Sequence, residues 1–443
     1  MTKADIIIKN GIVVTVNTNG TIYSNGSVVI INDAIIAIGE SVAVEKEYTS
    51  DNVIDAKGKI VMPGLINCHT HLAMTIFRGY ADDMHLKEWL NDYIFPAEAK
   101  FDNAENVKCG SELAMIEMIH SGTTTFNDMY FFEDEVAKVA KTIGMRGIIS
   151  ESLIDFPAPN SKTPDECFNH SKMLIEKYKN DSLITVGVAA HSPYSCSTEL
   201  LKKAKKFADY NKINFHIHVA ESKWEIDTIN KKYNQTPIQY LNNIGVLSDN
   251  VIAAHGVWLN DDDISIVHEK GVAIAHNPVC NMKLSSGVAP ITKLLNSKCK
   301  VGLGTDGVAS NNNLNMFEDM KTMTLLAKLS TDNPTSITAE MAVRIATIEG
   351  AKVLNLDKEI GSLEVGKKAD IILIDIEKPN TTPIYNIYST LVYAVNGSDV
   401  TDVIINGKII MQNSNILTAD EKLVMKKINK IAENIALQFQ RKG

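Results

Sequence analysis

No two cysteines of this chain stand in a Cys-x-x-Cys pair. The six present, Cys68, Cys109, Cys167, Cys196, Cys280 and Cys299, are scattered. That pattern suits buried thiols in a reducing compartment better than a disulfide framework. No apolar run reaches the length a membrane helix needs. The opening MTKADIIIKNG carries acid and turns polar too early for a secretory signal. The expected location is the cytoplasm, with no membrane partner. An excess of positive charge is also missing: 44 Lys and Arg against 53 Asp and Glu leave a formal charge of -9. This argues against nucleic-acid binding and suits a small, neutral or weakly charged ligand. Gly302 and Gly304 form a Gly-x-Gly, but the third glycine and the downstream acid of a dinucleotide-binding turn are absent.

What is present is a chain of 443 residues with 45% apolar and 22% charged content, enough for one large domain and an accessory lobe. Strand-like runs occupy 6–8, 12–16, 28–31 and 35–38, with Asn10-Gly11 as a hairpin signal. Similar runs return at 371–374 and 403–409, around Asn406-Gly407. The two ends are expected to form one small β-sandwich lobe from residues 1–57 and 365–443, with the main domain, 58–364, inserted between them. Residues 418–443 read as an amphipathic helix with Val424, Ile428, Ile431 and Ile435 on one face. It would pack on the body or on a second subunit, which leaves room for a homo-oligomer.

The inserted part alternates apolar runs with helix-like segments. Eight runs can be counted, at 61–67, 123–127, 147–150, 184–190, 214–219, 251–254, 272–275 and 301–304. The pattern predicts an α/β fold of the (β/α)8 TIM-barrel type, whose function sits at the C-terminal strand ends. Polar residues stand at all of those ends: His69 and His71, Asp128, Glu151, His191, His218 and Glu221, His255, His276, and Asp306. Core packing gives no reason for such a set.

His69 and His71 are two apart at a strand end, so both imidazoles point one way. With His218 at the end of strand five and Asp306 at the end of strand eight, they form a metal-ligand set of imidazoles and one carboxylate. Such a set suits a single divalent ion, zinc above all. A bound cation lowers the pKa of water from 15.7 to ~7. A lone histidine would be read as a core residue; four donors at matching strand ends would not. His216, one pleat deeper than His218, reads as a hydrogen-bonded core residue. Glu221, three residues past His218, is placed to move a proton between water and substrate. His255 would orient and stabilise the attacking hydroxide, and Asp306, with two carboxylate oxygens, would both bind metal and accept a proton. Strand four ends in Ala190-His191 without the lysine that bridges two metals in other barrel hydrolases, so the site should hold one metal. The compact zinc deaminases with Pro-Cys-x-x-Cys are excluded.

These residues carry a family resemblance over nearly the whole chain. PGLINCHTH (63–71), HVAE (218–221), AHG (254–256) and GTDGVASNNN (304–313) resemble the amidohydrolase superfamily. FRGYADD (77–83), WLNDYIFPAE (89–98), SGTTTFNDM (121–129) and HSPYSCS (191–197) are similar to its 5-methylthioadenosine/S-adenosylhomocysteine deaminases and 5'-deoxyadenosine deaminases. The resemblance implies zinc on His69, His71, His218 and Asp306, with Glu221 and His255 working beside it. It implies ribose recognition by Glu98 and nucleoside contact by His191. Without it, Glu98 would read as a surface glutamate near the helix start at Pro96. Trp89 would wall or stack on the nucleoside, or simply fill the core. The implied reaction is deamination of 5'-deoxyadenosine, 5'-methylthioadenosine or adenosine. The competing reading is deamination or dechlorination of a free base, triazine or other heterocycle, since the metal residues are shared.

One position departs from the pattern. Many relatives have arginine at the exit of strand three, implied to meet the amino-acid carboxylate of S-adenosylhomocysteine. Here Glu151 is expected at that place, facing the substrate and repelling such a carboxylate.

Overall fold

The computed structural model describes residues 1–439. Eight parallel strands follow one another in sequence order around a barrel: β1 (Leu65–Thr70), β2 (Thr123–Tyr130), β3 (Arg146–Leu153), β4 (Ile184–Val186 and Val188–Ala190), β5 (Phe215–Val219), β6 (Val251–His255), β7 (Ala273–His276) and β8 (Lys300–Leu303). β4 is interrupted at Gly187, where an added Cβ would lie 2.5 Å from Ser150 Oγ. β8 returns to β1, and Asp306 N–H donates to the His69 carbonyl at 3.0 Å. The strands are short and almost wholly buried on both faces, as helix-covered parallel strands must be.

The lobe combines strands Ile6–Val14, Ile22–Ile31, Ala34–Glu40 and Lys59–Pro63 with Ile371–Asp375, Val400–Ile405 and Lys408–Gln412. Lys59–Pro63 is its seam, parallel to Ile6–Val14 and antiparallel to Ile371–Asp375. The sheet closes over a core in which Ile8, Val28 and Ile30 meet Ile371, Leu373 and Ile404. Asn406 and Gly407, at φ 51° and 74°, make the expected tight hairpin.

Two sequence expectations change here. Asn10-Gly11 is not a hairpin turn, because Ile6–Val14 is one strand whose register slips around Gly11. Asn10 takes φ 64°, and a Cβ on Gly11 would lie 2.6 Å from Val61 Cγ2. The pair therefore works as a bulge that lets the strand bend. The expected boundary after residue 57 also moves. The run 61–67 is two strands, one in each body, parted at Gly64, where a Cβ would lie 2.1 Å from Thr124 Oγ1.

Arg146, at the N-terminal end of β3, joins the bodies. Its guanidinium is buried and grips Asp370 through Nε at 2.7 Å and Nη2 at 3.1 Å. The tail helix spans Glu421–Phe439 and buries Val424, Ile428 and Ile435. Residues 440–443 of the expected helix lie outside the described residues. No helix among the described residues is long and apolar enough to cross a membrane. All six cysteines are free and buried.

Candidate active site

Asn67, His69 and His71 extend along one face of β1 into the barrel mouth. Asn67 locks β1 to β8 through Thr305, with its Nδ2 donating to Oγ1 at 2.7 Å and its Oδ1 accepting from Thr305 N–H at 3.1 Å. His71 Nδ1 donates to the Met129 carbonyl at 2.6 Å, and His218 Nδ1 to the His191 carbonyl at 2.7 Å. Each ring therefore turns Nε2 inward, and these atoms lie 3.3 Å apart. His69 Nδ1 is 3.1 Å from His216 Nε2, so His216 is a hydrogen-bonded core residue. His69 Nε2 is buried and faces Asp306 Oδ1 at 3.3 Å; His71 Nε2 faces it at 3.2 Å. Donor atoms of His69, His71, His218 and Asp306 all lie within 4.8 Å of one another. Converging imidazole nitrogens and a carboxylate oxygen, with the other ring nitrogens already bonded, fit a divalent transition ion.

The electrostatics agree. Asp306 is deeply buried, which opposes its charge, yet the His69 and His71 hydrogen bonds hold its carboxyl well below the usual range. Burial pulls His71 down, but Asp306 outweighs it and leaves His71 raised to about 9. His69 is lowered to about 4 by burial. The other Asp306 oxygen accepts from Ser310 Oγ at 3.0 Å and Cys280 Sγ at 2.8 Å. Neither partner was legible in the sequence.

Glu221 and His255 adjoin the four donors. His255 Nδ1 faces Asn281 Oδ1 at 2.9 Å, leaving Nε2 directed at Glu221 Oε2, 3.7 Å away. Burial and the neighbouring Asp306 raise the Glu221 carboxyl to about 8. Its backbone is held from below, where Glu225 accepts from the N–H groups of Ala220 and Glu221, both at 2.9 Å. Ala220, His255 and Asp306 take φ of 54°, 75° and 64°. Left-handed backbone at three non-glycine strand exits is strain held by its surroundings, as at functional sites.

A cavity opens from these groups, lined also by Glu98, Trp89, His191, Ser152 and Ile154. Leu86, Leu90, Ile94 and Glu98, each four residues after the last, all line it. They lie on a helical segment whose middle, Trp89–Ile94, is π-type, and i→i+5 bonding keeps this spacing in line. Glu98 is buried and faces the cavity, so the surface-glutamate reading does not hold. Trp89 both lines the cavity and is anchored in the core, donating from Nε1 to the Ala81 carbonyl at 3.1 Å. His191 Nδ1 meets Ser195 Oγ at 2.8 Å, and burial lowers its pKa to about 3. Tyr130, which sequence reasoning missed, stands at the exit of β2 and reaches Glu98 Oε1 at 2.8 Å. Its strand-end position was the available signal.

Glu151 is a correction. Side chains alternate on β3, so Ser152 and Ile154 line the cavity while Glu151 faces out. Its carboxylate accepts the Glu133 N–H at 3.1 Å and caps the helix α1 (Glu133–Ile143), with Asn160 Nδ2 donating to the other oxygen. Asp128 likewise turns from the cavity to accept Leu72 N–H at 2.9 Å. Among the described residues lining the cavity there is no lysine or arginine.

Residues 60–410 match the model of the amidohydrolase family. A 5-methylthioadenosine/S-adenosylhomocysteine deaminase 1 of Syntrophus aciditrophicus is 44% identical over 98% of both chains. A 5'-deoxyadenosine deaminase of Methanosarcina mazei is 45% identical, also over 98% of both. The crystal structure of an adenosine deaminase from Xanthomonas campestris with bound zinc superposes with a TM-score of 0.97 at 33% identity, covering 98% of this chain and 99% of that one. An atrazine chlorohydrolase from Arthrobacter aurescens shares the fold, with a TM-score of 0.90 at 22% identity over 96% of this chain. With the barrel, its lobe and the four converging donors, the match over most of its length makes this chain a member of the amidohydrolase family.

Proposed function

We propose that the protein is a zinc-dependent aminohydrolase that deaminates an adenosine derivative to the inosine analogue and ammonia. The observation that carries this is the joining of two features in one cavity. The donor set His69, His71, His218 and Asp306 borders it, and the buried Glu98 carboxylate lines it too. A nucleoside presents both an amino-bearing ring carbon for the first and a cis-diol for the second. The deaminase relatives named above support the same reading.

One zinc ion on those four residues would supply acidified water at neutral pH. The remaining work belongs to the side chains. The reaction moves the water's two protons to nitrogen, one to the ring nitrogen beside the reacting carbon and one to the departing amine. Glu221 takes the first at its carboxylate and delivers it; a carboxyl raised towards neutrality suits both steps. His255 Nε2 and Asp306 hold the nucleophilic oxygen for attack, with the His255 ring fixed by Asn281. Glu98 accepts the ribose hydroxyls, and His191 and Trp89 hold the nucleoside. Since no lysine or arginine is among the described residues that line the cavity, substrates with short uncharged 5' groups should turn over better than S-adenosylhomocysteine. The free thiols fit a reducing compartment, and we place the enzyme in the cytoplasm.

Zinc-loaded protein should convert 5'-deoxyadenosine, 5'-methylthioadenosine or adenosine, with loss of adenine absorbance and release of ammonia. Turnover of a free base or triazine with none of the three nucleosides would overturn the reading.

A further inference from the structure

Behind Glu98 lies a second carboxyl that the reaction above does not use. Tyr130 Oη is 2.8 Å from Glu98 Oε1 and 2.7 Å from Asp102 Oδ2. A phenol brings one hydrogen, and two contacts of this length to carboxyl oxygens require two. One of the acids therefore carries a proton. Glu98 lines the cavity, while Asp102 lies behind it and its other oxygen, Oδ1, is buried without a partner. Both sit at the C-terminal end of the continuous helical segment that runs from Leu86 to Phe101, Glu98 in its last turn and Asp102 at the C-cap. The helix dipole disfavours an anion at this end, most of all at the final position, Asp102.

We propose that Asp102 is a positioning residue, a neutral carboxylic acid that donates to Tyr130 Oη, so that the Tyr130 hydroxyl donates in turn to Glu98 and leaves it an anion with its free oxygen aimed at the substrate's sugar hydroxyls. This rests on the ribose-binding reading of Glu98. The surrounding groups agree with the direction of the chain. Burial raises both carboxyls, Asp102 well above the usual range and further so by the charge of Glu98. Glu98 rises only to about 7, because Tyr130 and the charge of His71 pull it back. A chain of donors with one direction fixes the Glu98 carboxylate more firmly than either hydrogen bond alone.

The deciding experiment needs no substrate. Infrared difference spectra of the zinc-loaded protein at neutral pH, wild type minus Asp102→Asn, should show loss of a protonated carboxylic C=O band. Absence of that loss, or its appearance in wild type minus Glu98→Gln instead, overturns the assignment. Kinetics add a second arm. Asparagine can donate from its amide to Tyr130, so Asp102→Asn should keep the nucleoside KM within about threefold, whereas Asp102→Leu should raise it about tenfold with kcat less affected. Equal KM in the two variants would overturn the donor role. Should the wild type turn over no nucleoside, the proposed reaction fails while the infrared result still decides where the proton resides.

Discussion

His71 Nε2 and His218 Nε2 face each other across 3.3 Å, and the Nδ1 of each ring donates to a backbone carbonyl. Two neutral imidazoles so arranged turn lone pairs at each other, which is stable only with a cation between or beside them. In the metal-free site Asp306 keeps that cation as a proton on His71, whose pKa is raised to about 9. Metal must displace it. Zinc binding at pH 7 should therefore release at least one proton. Affinity should rise about tenfold per pH unit and level off above about 9. Calorimetry in buffers of different ionisation enthalpy measures the release. Zinc at a thousandfold excess over its Kd should also stabilise the fold by about 4.1 kcal/mol, read as a drop in Tm on chelation.

Glu151 and Ser152 offer a contrast between adjacent residues on opposite faces of β3. Glu151→Gln weakens a helix cap, so it should cost about 1 kcal/mol of stability. The ratio of kcat/KM for S-adenosylhomocysteine and methylthioadenosine should not change. Ser152→Arg puts a cation into the cavity and should shift that ratio towards S-adenosylhomocysteine by about tenfold or more. Paired substrate assays on the two variants check both outcomes.

Asp370→Ala should lower stability by about 3–5 kcal/mol, because it strands the buried Arg146 guanidinium at the junction of barrel and lobe. Urea unfolding gives the loss. Since Arg146 lies at the barrel end opposite the cavity, kcat of the folded variant should match the wild type.

His276 is buried with Nδ1 unpartnered, and burial, with the neighbouring His255, lowers its pKa to about 3. The unfolded chain binds a proton there below about 6.5 and the native state does not. Stability is therefore lost as pH falls from about 6.5 towards 3, by up to about 1.4 kcal/mol per pH unit from this group. Metal-free His276→Asn protein should lose less stability than the wild type between pH 6.5 and 4.5, as read from urea midpoints.

Much of the site was legible because each donor sits at a chain position with a local meaning. His69 and His71 share a strand face by their spacing, while His218 and His255 stand at the ends of short strand-like runs and Glu221 and Asp306 just past them. Glu151 was misread for the same reason that His69 and His71 were not. Strand faces alternate, so an error of one residue moves a side chain from the cavity to the outside. Asn10-Gly11 has the local chemistry of a turn, and only its packing against Val61 made it a bulge.

The sequence alone determined the barrel, the split lobe and the types of donor at the strand ends, since periodicity and residue chemistry are local properties. The tertiary structure decided which nitrogen of each imidazole is free, and that no lysine or arginine is among the described residues lining the cavity. It also decided that Asp102, Tyr130 and Glu98 touch. Those relations join residues far apart in the chain, such as His71 and His218, or depend on which face a side chain takes. Only the closed barrel brings them within hydrogen-bonding range.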